Sequence, residues 1–128
     1  NYSEYGGTQM QQTDYTSVHF LRGRQTTNAK GEVSFISIYP GWYQGRAPHV
    51  HVEVLSSSGS SLLVTQIAFP ESTSSTVYSS TNYAAHGQAD TSNTRDNVFA
   101  DSLASELAVL TGNLTDGYTL TKTITVNG

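Results

Sequence analysis

The sequence predicts an all-β protein, an antiparallel β-sandwich with short helices or turns in its loops, and three observations carry that expectation. Several segments alternate apolar and polar residues with the period of two that a half-buried strand requires. They recur at short, regular spacing, separated by Gly, Asn and Ser residues that favour turns. The composition is rich in Ser, Thr, Gly and Tyr but only 12% charged, which suits strands joined by polar loops better than long solvated helices.

Taken in order, residues 17 to 24 (SVHFLRGR) and 32 to 38 (EVSFISI) alternate and flank TTNAKG, whose Asn28 and Gly31 are turn formers, so they predict a hairpin. Pro40 and Gly41 end that pattern. Strands are expected next at 49 to 55 (HVHVEVL) and 61 to 68 (SLLVTQIA), joined by SSSGS. Pro70 and Glu71 open a segment suited to the first turn of a helix, which its Ser and Thr residues would keep short. YAAHGQADTSNTRDN, residues 83 to 97, reads as a polar loop in which Arg95 and Asp96 would be solvated. In 103 to 110, Leu103, Leu107 and Leu110 fit a helical face, but the following NLTDGYTLTKTITV reads as a turn into a strand, and a strand pair closing the sheet is the favoured reading.

At 128 residues with 36% hydrophobic content, the chain is expected to form one domain, residues 1 to 128, that buries a core without staples. It contains no run of roughly 18 apolar residues, so no membrane partner is expected, and it reads as a mature or excised domain lacking its N-terminal segment. A net charge of −4 with six scattered Lys and Arg residues offers no basic stripe for nucleic acid. Cysteine is absent, which removes thiolate metal sites and disulfides from consideration.

The chemistry is concentrated in PGWYQGRAPHVHVEV, residues 40 to 54. On a strand, His49 and His51 point to one face while Val50 and Val52 point to the other. Two neutral imidazoles so placed can bind one zinc, copper, iron or nickel ion. Taken alone, such a pair is more often structural, one ring satisfied by backbone and the other solvated. Tyr43 changes the balance, because a trivalent cation can deprotonate a phenol and bind its hard oxygen, and two imidazoles with phenolates suggest ferric iron. Arg46 in isolation would be a surface charge, and Tyr43 a rim aromatic in a chain with eight tyrosines.

The run FLRGRQTTNAKGEVSFISIYPGWYQGRAPHVHVEV, residues 20 to 54, resembles the signature of the intradiol ring-cleavage dioxygenases, the family of catechol 1,2- and protocatechuate 3,4-dioxygenases. The Pro-Gly-X-Tyr turn and the Gly-Arg-X-X-His-X-His run are most similar to its small extracellular branch. Gln66, YAAHG and DGYTLTKTITV extend the resemblance over most of the chain. The resemblance implies a non-haem Fe(III) held by two tyrosines and two histidines. Tyr43 matches the tyrosine ligand that substrate displaces, His49 and His51 match the histidine pair, and Arg46 and Gln66 match the pocket arginine and glutamine. The first tyrosine is followed by Ser in the family, so Tyr2, before Ser3, is its match, with Tyr5 and Tyr15 as alternatives.

By the same resemblance, dioxygen cleaves catechols between their two hydroxyl-bearing carbons to give cis,cis-muconate-type products, with no organic cofactor. Trp42 and Tyr39 are candidate pocket walls, and core packing is at least as good a reading of Tyr39. His19 reads as a strand rim residue and His86 as a surface histidine. The long helical N-terminal segment of the classical enzymes is not part of this sequence, so a monomer with an open mouth is expected. Such a mouth would admit catechol, substituted catechols and lignin-derived aromatics. Secretion, and a place beside a carbohydrate-binding module in a longer chain, are further expectations of the extracellular branch. Two other readings fit the same residues: a β-sandwich module stacking sugars or aromatics on Trp42, Tyr43 and Tyr39, and a cupin-like enzyme holding a divalent metal on His49 and His51.

Overall fold

A computed structural model describes residues 14 to 126. The chain divides into two compact units, Asn1–Tyr39 and Pro40–Gly128. The regular elements of the described residues all lie in the second: strands β1 (His49–Leu55), β2 (Ser61–Ala68), β3 (Val109–Asn113) and β4 (Gly117–Thr121), with helices α1 (Glu71–Tyr78) and α2 (Leu103–Glu106) and one 3-10 turn (Ala84–His86).

β1 and β2 form an antiparallel hairpin where the alternation predicts one, and its register sets His49 opposite Ala68, Val50 opposite Ile67 and His51 opposite Gln66. The connecting serines close the turn themselves. Ser56 N–H donates to Ser60 O at 2.8 Å, and Ser56 Oγ accepts from Ser60 N–H at 3.0 Å. β3 and β4 form a second antiparallel hairpin, tightened by Asn113, whose Oδ1 accepts the N–H groups of Thr115 and Asp116. Gly112 is required there, because a Cβ would collide with the Gly117 carbonyl oxygen across the ladder. The two hairpins meet through Ala68, which bridges in parallel to Leu107 and accepts the Ala108 N–H at 2.9 Å.

The segment 103 to 110 thus divides: its Leu103 end takes the helical option and its Val109 end the strand. The helix after Pro70 is short, as its sequence predicts. Three of its hydroxyls, from Ser74, Thr76 and the capping Ser79, donate back to carbonyls four residues earlier, the local competition that makes Ser and Thr poor helix formers. Beneath the strands, Ala47, Ala68 and Phe99 form a buried cluster flanked by Val98 and Leu103.

The first unit corrects one expectation. The Asn28 turn forms, with Asn28 N–H donating to Glu32 O and Asn28 Oδ1 accepting from Lys30 and Glu32, yet neither 17 to 24 nor 32 to 38 is a strand. Phe35, Ile36 and Ile38 are exposed. Alternation specifies a strand only where an opposing layer buries one face, and among the described residues of this unit none does.

Candidate metal and substrate site

The site grows from the loop that enters β1. Tyr78, buried on α1, donates its hydroxyl to Pro40 O at 2.9 Å and so fixes where that loop begins. Trp42 is held by the 3-10 turn: its Nε1–H donates to Gly87 O at 3.0 Å, His86 Nε2–H donates to Trp42 O at 2.8 Å, and the two rings lie 4.5 Å apart. The chain then reverses, with Arg46 N–H donating to Tyr43 O at 3.1 Å. Gly45 occupies the third position of this turn at φ 81°, a left-handed conformation that favours glycine, and its N–H donates to the Asp90 carboxylate.

The reversal folds Tyr43 and Arg46 back over the first residues of β1. Arg46 uses its three nitrogens on three partners: Nε–H donates to Asp96 Oδ2 at 2.9 Å, Nη1–H to the Tyr43 hydroxyl at 3.2 Å, and Nη2–H to Gln66 Oε1 at 2.7 Å. Its guanidinium carbon lies 5.9 Å from the centre of the Phe99 ring. His49 is buried, and its Nδ1–H donates to Ala47 O at 2.6 Å. That bond leaves the lone pair on Nε2, which faces the Tyr43 hydroxyl at 3.5 Å. The His51 ring stands 5.1 Å from that of His49, and His51 Nε2 is sealed from solvent.

Electrostatics reinforce the donor character. Burial, with smaller effects from the neighbouring Arg46 and His51 charges, pulls the His49 pKa down to about 4, although the Ala47 carbonyl and Asp96 work against it. Burial and Arg46 lower His51 as well. Both rings are therefore neutral near pH 7, the form that ligates metal. For Asp96, burial pushes the carboxyl up, but the Arg46 hydrogen bond, the Val98 and Ala47 amides and the Arg46 charge together hold it below the ordinary carboxylate range.

Of the residues the sequence singles out, Tyr43, Arg46, His49 and Gln66 are joined by direct hydrogen-bond contacts, and His51 adjoins both His49 and its cross-strand partner Gln66. Tyr43, His49 and His51 present one phenol and two imidazoles, a donor set that suits a hard trivalent cation. Among the described residues no group of three His, Asp or Glu side chains that could hold a metal ion gathers. Trp42 is half-buried against the 3-10 turn, and Tyr39 belongs to the first unit. Tyr2 and Tyr5 lie outside the described residues, while Tyr15 packs edge-on against Phe20 in the first unit. His86 is on the surface as expected; His19 is exposed but not on a strand.

Asp96 overturns its sequence reading. It is fully buried rather than solvated, and its Oδ2 accepts from both Arg46 Nε–H and Ala47 N–H while Oδ1 accepts from Val98 N–H. Phe99, under Arg46 and His49, is likewise a site residue that pattern alone does not mark. The available signal was indirect: a guanidinium drawn in beside a phenol and two imidazoles needs a carboxylate partner.

Compared with family models and with curated proteins, the sequence matches none. Among solved structures, it is similar to an intradiol ring-cleavage dioxygenase from Tetranychus urticae, with a TM-score of 0.81 and 28% identity over 94% of this chain. It is also similar to a crystal structure described as a dioxygenase, with a TM-score of 0.77 and 30% identity over 92% of this chain. The chain spans 60% and 57% of the lengths of those two proteins. The antiparallel β-sandwich class expected from the alternation agrees with these likenesses.

Proposed function

We propose that the chain is a member of the intradiol ring-cleavage dioxygenase family, as its likeness to solved dioxygenases supports, and that it cleaves catechols between their hydroxyl-bearing carbons with dioxygen, at a non-haem Fe(III) held by Tyr2, Tyr43, His49 and His51. The observation that carries this reading is the place of the Tyr43 hydroxyl, 3.5 Å from the His49 Nε2 lone pair and 3.2 Å from Arg46 Nη1. Ferric iron, when bound, supplies a Lewis acid on which both catechol oxygens can chelate.

The protein's own residues have distinct tasks. The Ala47 carbonyl keeps the His49 proton on Nδ1 and so keeps Nε2 a donor atom. Tyr43, as phenolate, is the base that accepts a catechol proton, and Arg46 Nη1–H, 3.2 Å away, steadies its oxygen in either state. The Arg46 guanidinium stabilises negative charge that develops on the substrate ring. Gln66 Oε1 restrains the far end of that guanidinium, and Trp42 walls the pocket. Dioxygen supplies both inserted oxygen atoms, so the cis,cis-muconate-type product requires no external reductant.

The rest of the proposal is a single domain acting as a secreted monomer on catechol, substituted catechols and lignin-derived aromatics. The test is direct. Iron-loaded protein should be red-brown from tyrosinate-to-iron charge transfer and should convert catechol to a muconate with uptake of one dioxygen. A colourless iron-loaded preparation that leaves a catechol panel untouched overturns the assignment.

A further inference from the structure

We infer that Asp96 is the positioning residue that aims the Arg46 guanidinium, clamping Arg46 Nε and the Ala47 amide on one carboxylate oxygen so that Nη1 faces Tyr43 and Nη2 faces Gln66. The inference rests on the dioxygenase reading for what Arg46 does, but not for how Arg46 is held.

Three observations carry it. Asp96 is fully buried and paired with Arg46 at 2.9 Å, the one ion pair among the described residues. A buried carboxylate is retained only at the expense of desolvation, which its hydrogen bonds must offset. Next, the guanidinium is planar and rigid, so fixing Nε fixes the direction of both Nη groups. The Asp96 contact therefore sets the geometry of the other two. Last, Asp96 is itself held against rotation: Oδ1 accepts Val98 N–H at 2.8 Å, and its own carbonyl accepts Phe99 and Ala100 N–H groups. The same Oδ2 that takes Arg46 also takes the Ala47 amide at 2.7 Å, and Ala47 O in turn orients His49. One carboxylate thus links the charged group of the pocket to the backbone that orients a ligand.

Asp96→Asn tests this, because it removes the negative charge that holds the guanidinium, and its NH2 must face at least one of the three N–H donors now bound by the carboxylate. In metal-free wild type, the Arg46 Nε–H should give a resolved, slowly exchanging NMR signal. In Asp96→Asn that signal should collapse to the averaged position of mobile arginines. Iron-loaded Asp96→Asn should keep the charge-transfer colour while kcat on catechol falls on the order of a hundredfold, the size of effect a misplaced group produces, with KM changing much less. Asp96→Asn combined with Arg46→Met should be no slower than Arg46→Met alone, because the carboxylate acts through the arginine.

Losses that multiply in the double variant, or an unchanged kcat in Asp96→Asn, overturn the inference. Should Asp96→Asn fail to fold, the wild-type spectrum still decides: an Arg46 Nε–H signal at the averaged position refutes the clamp. A wild-type protein inactive on catechols would defeat the dioxygenase reading instead, and the Arg46 signal would still report on Asp96.

Discussion

Replacing Tyr43 with Phe removes one oxygen and little else. The ring packs edge-on to His49 with centroids 5.5 Å apart, a contact Phe keeps. The hydroxyl accepts Arg46 Nη1–H at 3.2 Å, and Arg46 retains its bonds to Asp96 and Gln66 when that oxygen is gone. For a half-buried bond to a charged group whose donor keeps other partners, the stability cost should fall near about 1 kcal/mol, the lower part of the range for such bonds. In a domain of this size that lowers the melting temperature of the metal-free protein by roughly 3–6 °C. The chemical cost should be far larger. If Tyr43 is the base and ligand proposed above, its loss should slow catechol turnover by roughly 10²–10⁴-fold and bleach much of the charge-transfer band. Differential scanning calorimetry of the metal-free variant and dioxygen uptake of the iron-loaded one separate the two effects. A Tyr43→Phe protein that turns over at the wild-type rate would refute the assignment, and a melting drop well beyond ten degrees would make Tyr43 a structural residue.

Three further outcomes are expected. Phe99→Ala, which empties a fully buried position under Arg46 and His49, should cost about 3–5 kcal/mol in urea unfolding, and a loss below about 1 kcal/mol would contradict the packing described. In the metal-free protein, the His49 ring should titrate near pH 4 rather than 6.5 by NMR. Its folded pKa lies below the unfolded one, so its contribution to stability is complete above pH 6.5 and is lost progressively as pH falls toward 4; a midpoint near 6.5 would disprove the buried, neutral ring. Tyr2→Phe should lose colour and turnover while Tyr5→Phe keeps both, and the opposite pattern would transfer the first tyrosine ligand to Tyr5.

What the sequence reveals divides along chain separation. His49 and His51 share a face because strand geometry dictates it, and the SSSGS turn fixes the register that brings Gln66 opposite His51. Tyr43 to Arg46 are close because Gly45 permits the reversal. All of these are local rules acting over a few residues. The hairpin expected at 17 to 38 fails because alternation reports a face suited to burial, and burial is a property of whatever opposes it. Asp96 escapes for the related reason that its meaning depends on a residue fifty positions away.

Its neighbours in TRDN are exposed, and composition assigns it their character. Yet the need for such a group was implicit in the motif. A guanidinium beside two rings that must remain neutral cannot lie uncompensated in a pocket, because its field and its desolvation both disfavour that arrangement. Either a carboxylate enters from a distant segment or the arginine turns out to solvent. The buried Asp96 shows that this chain takes the first course, and the acidic residue could be anticipated in kind although its position could not.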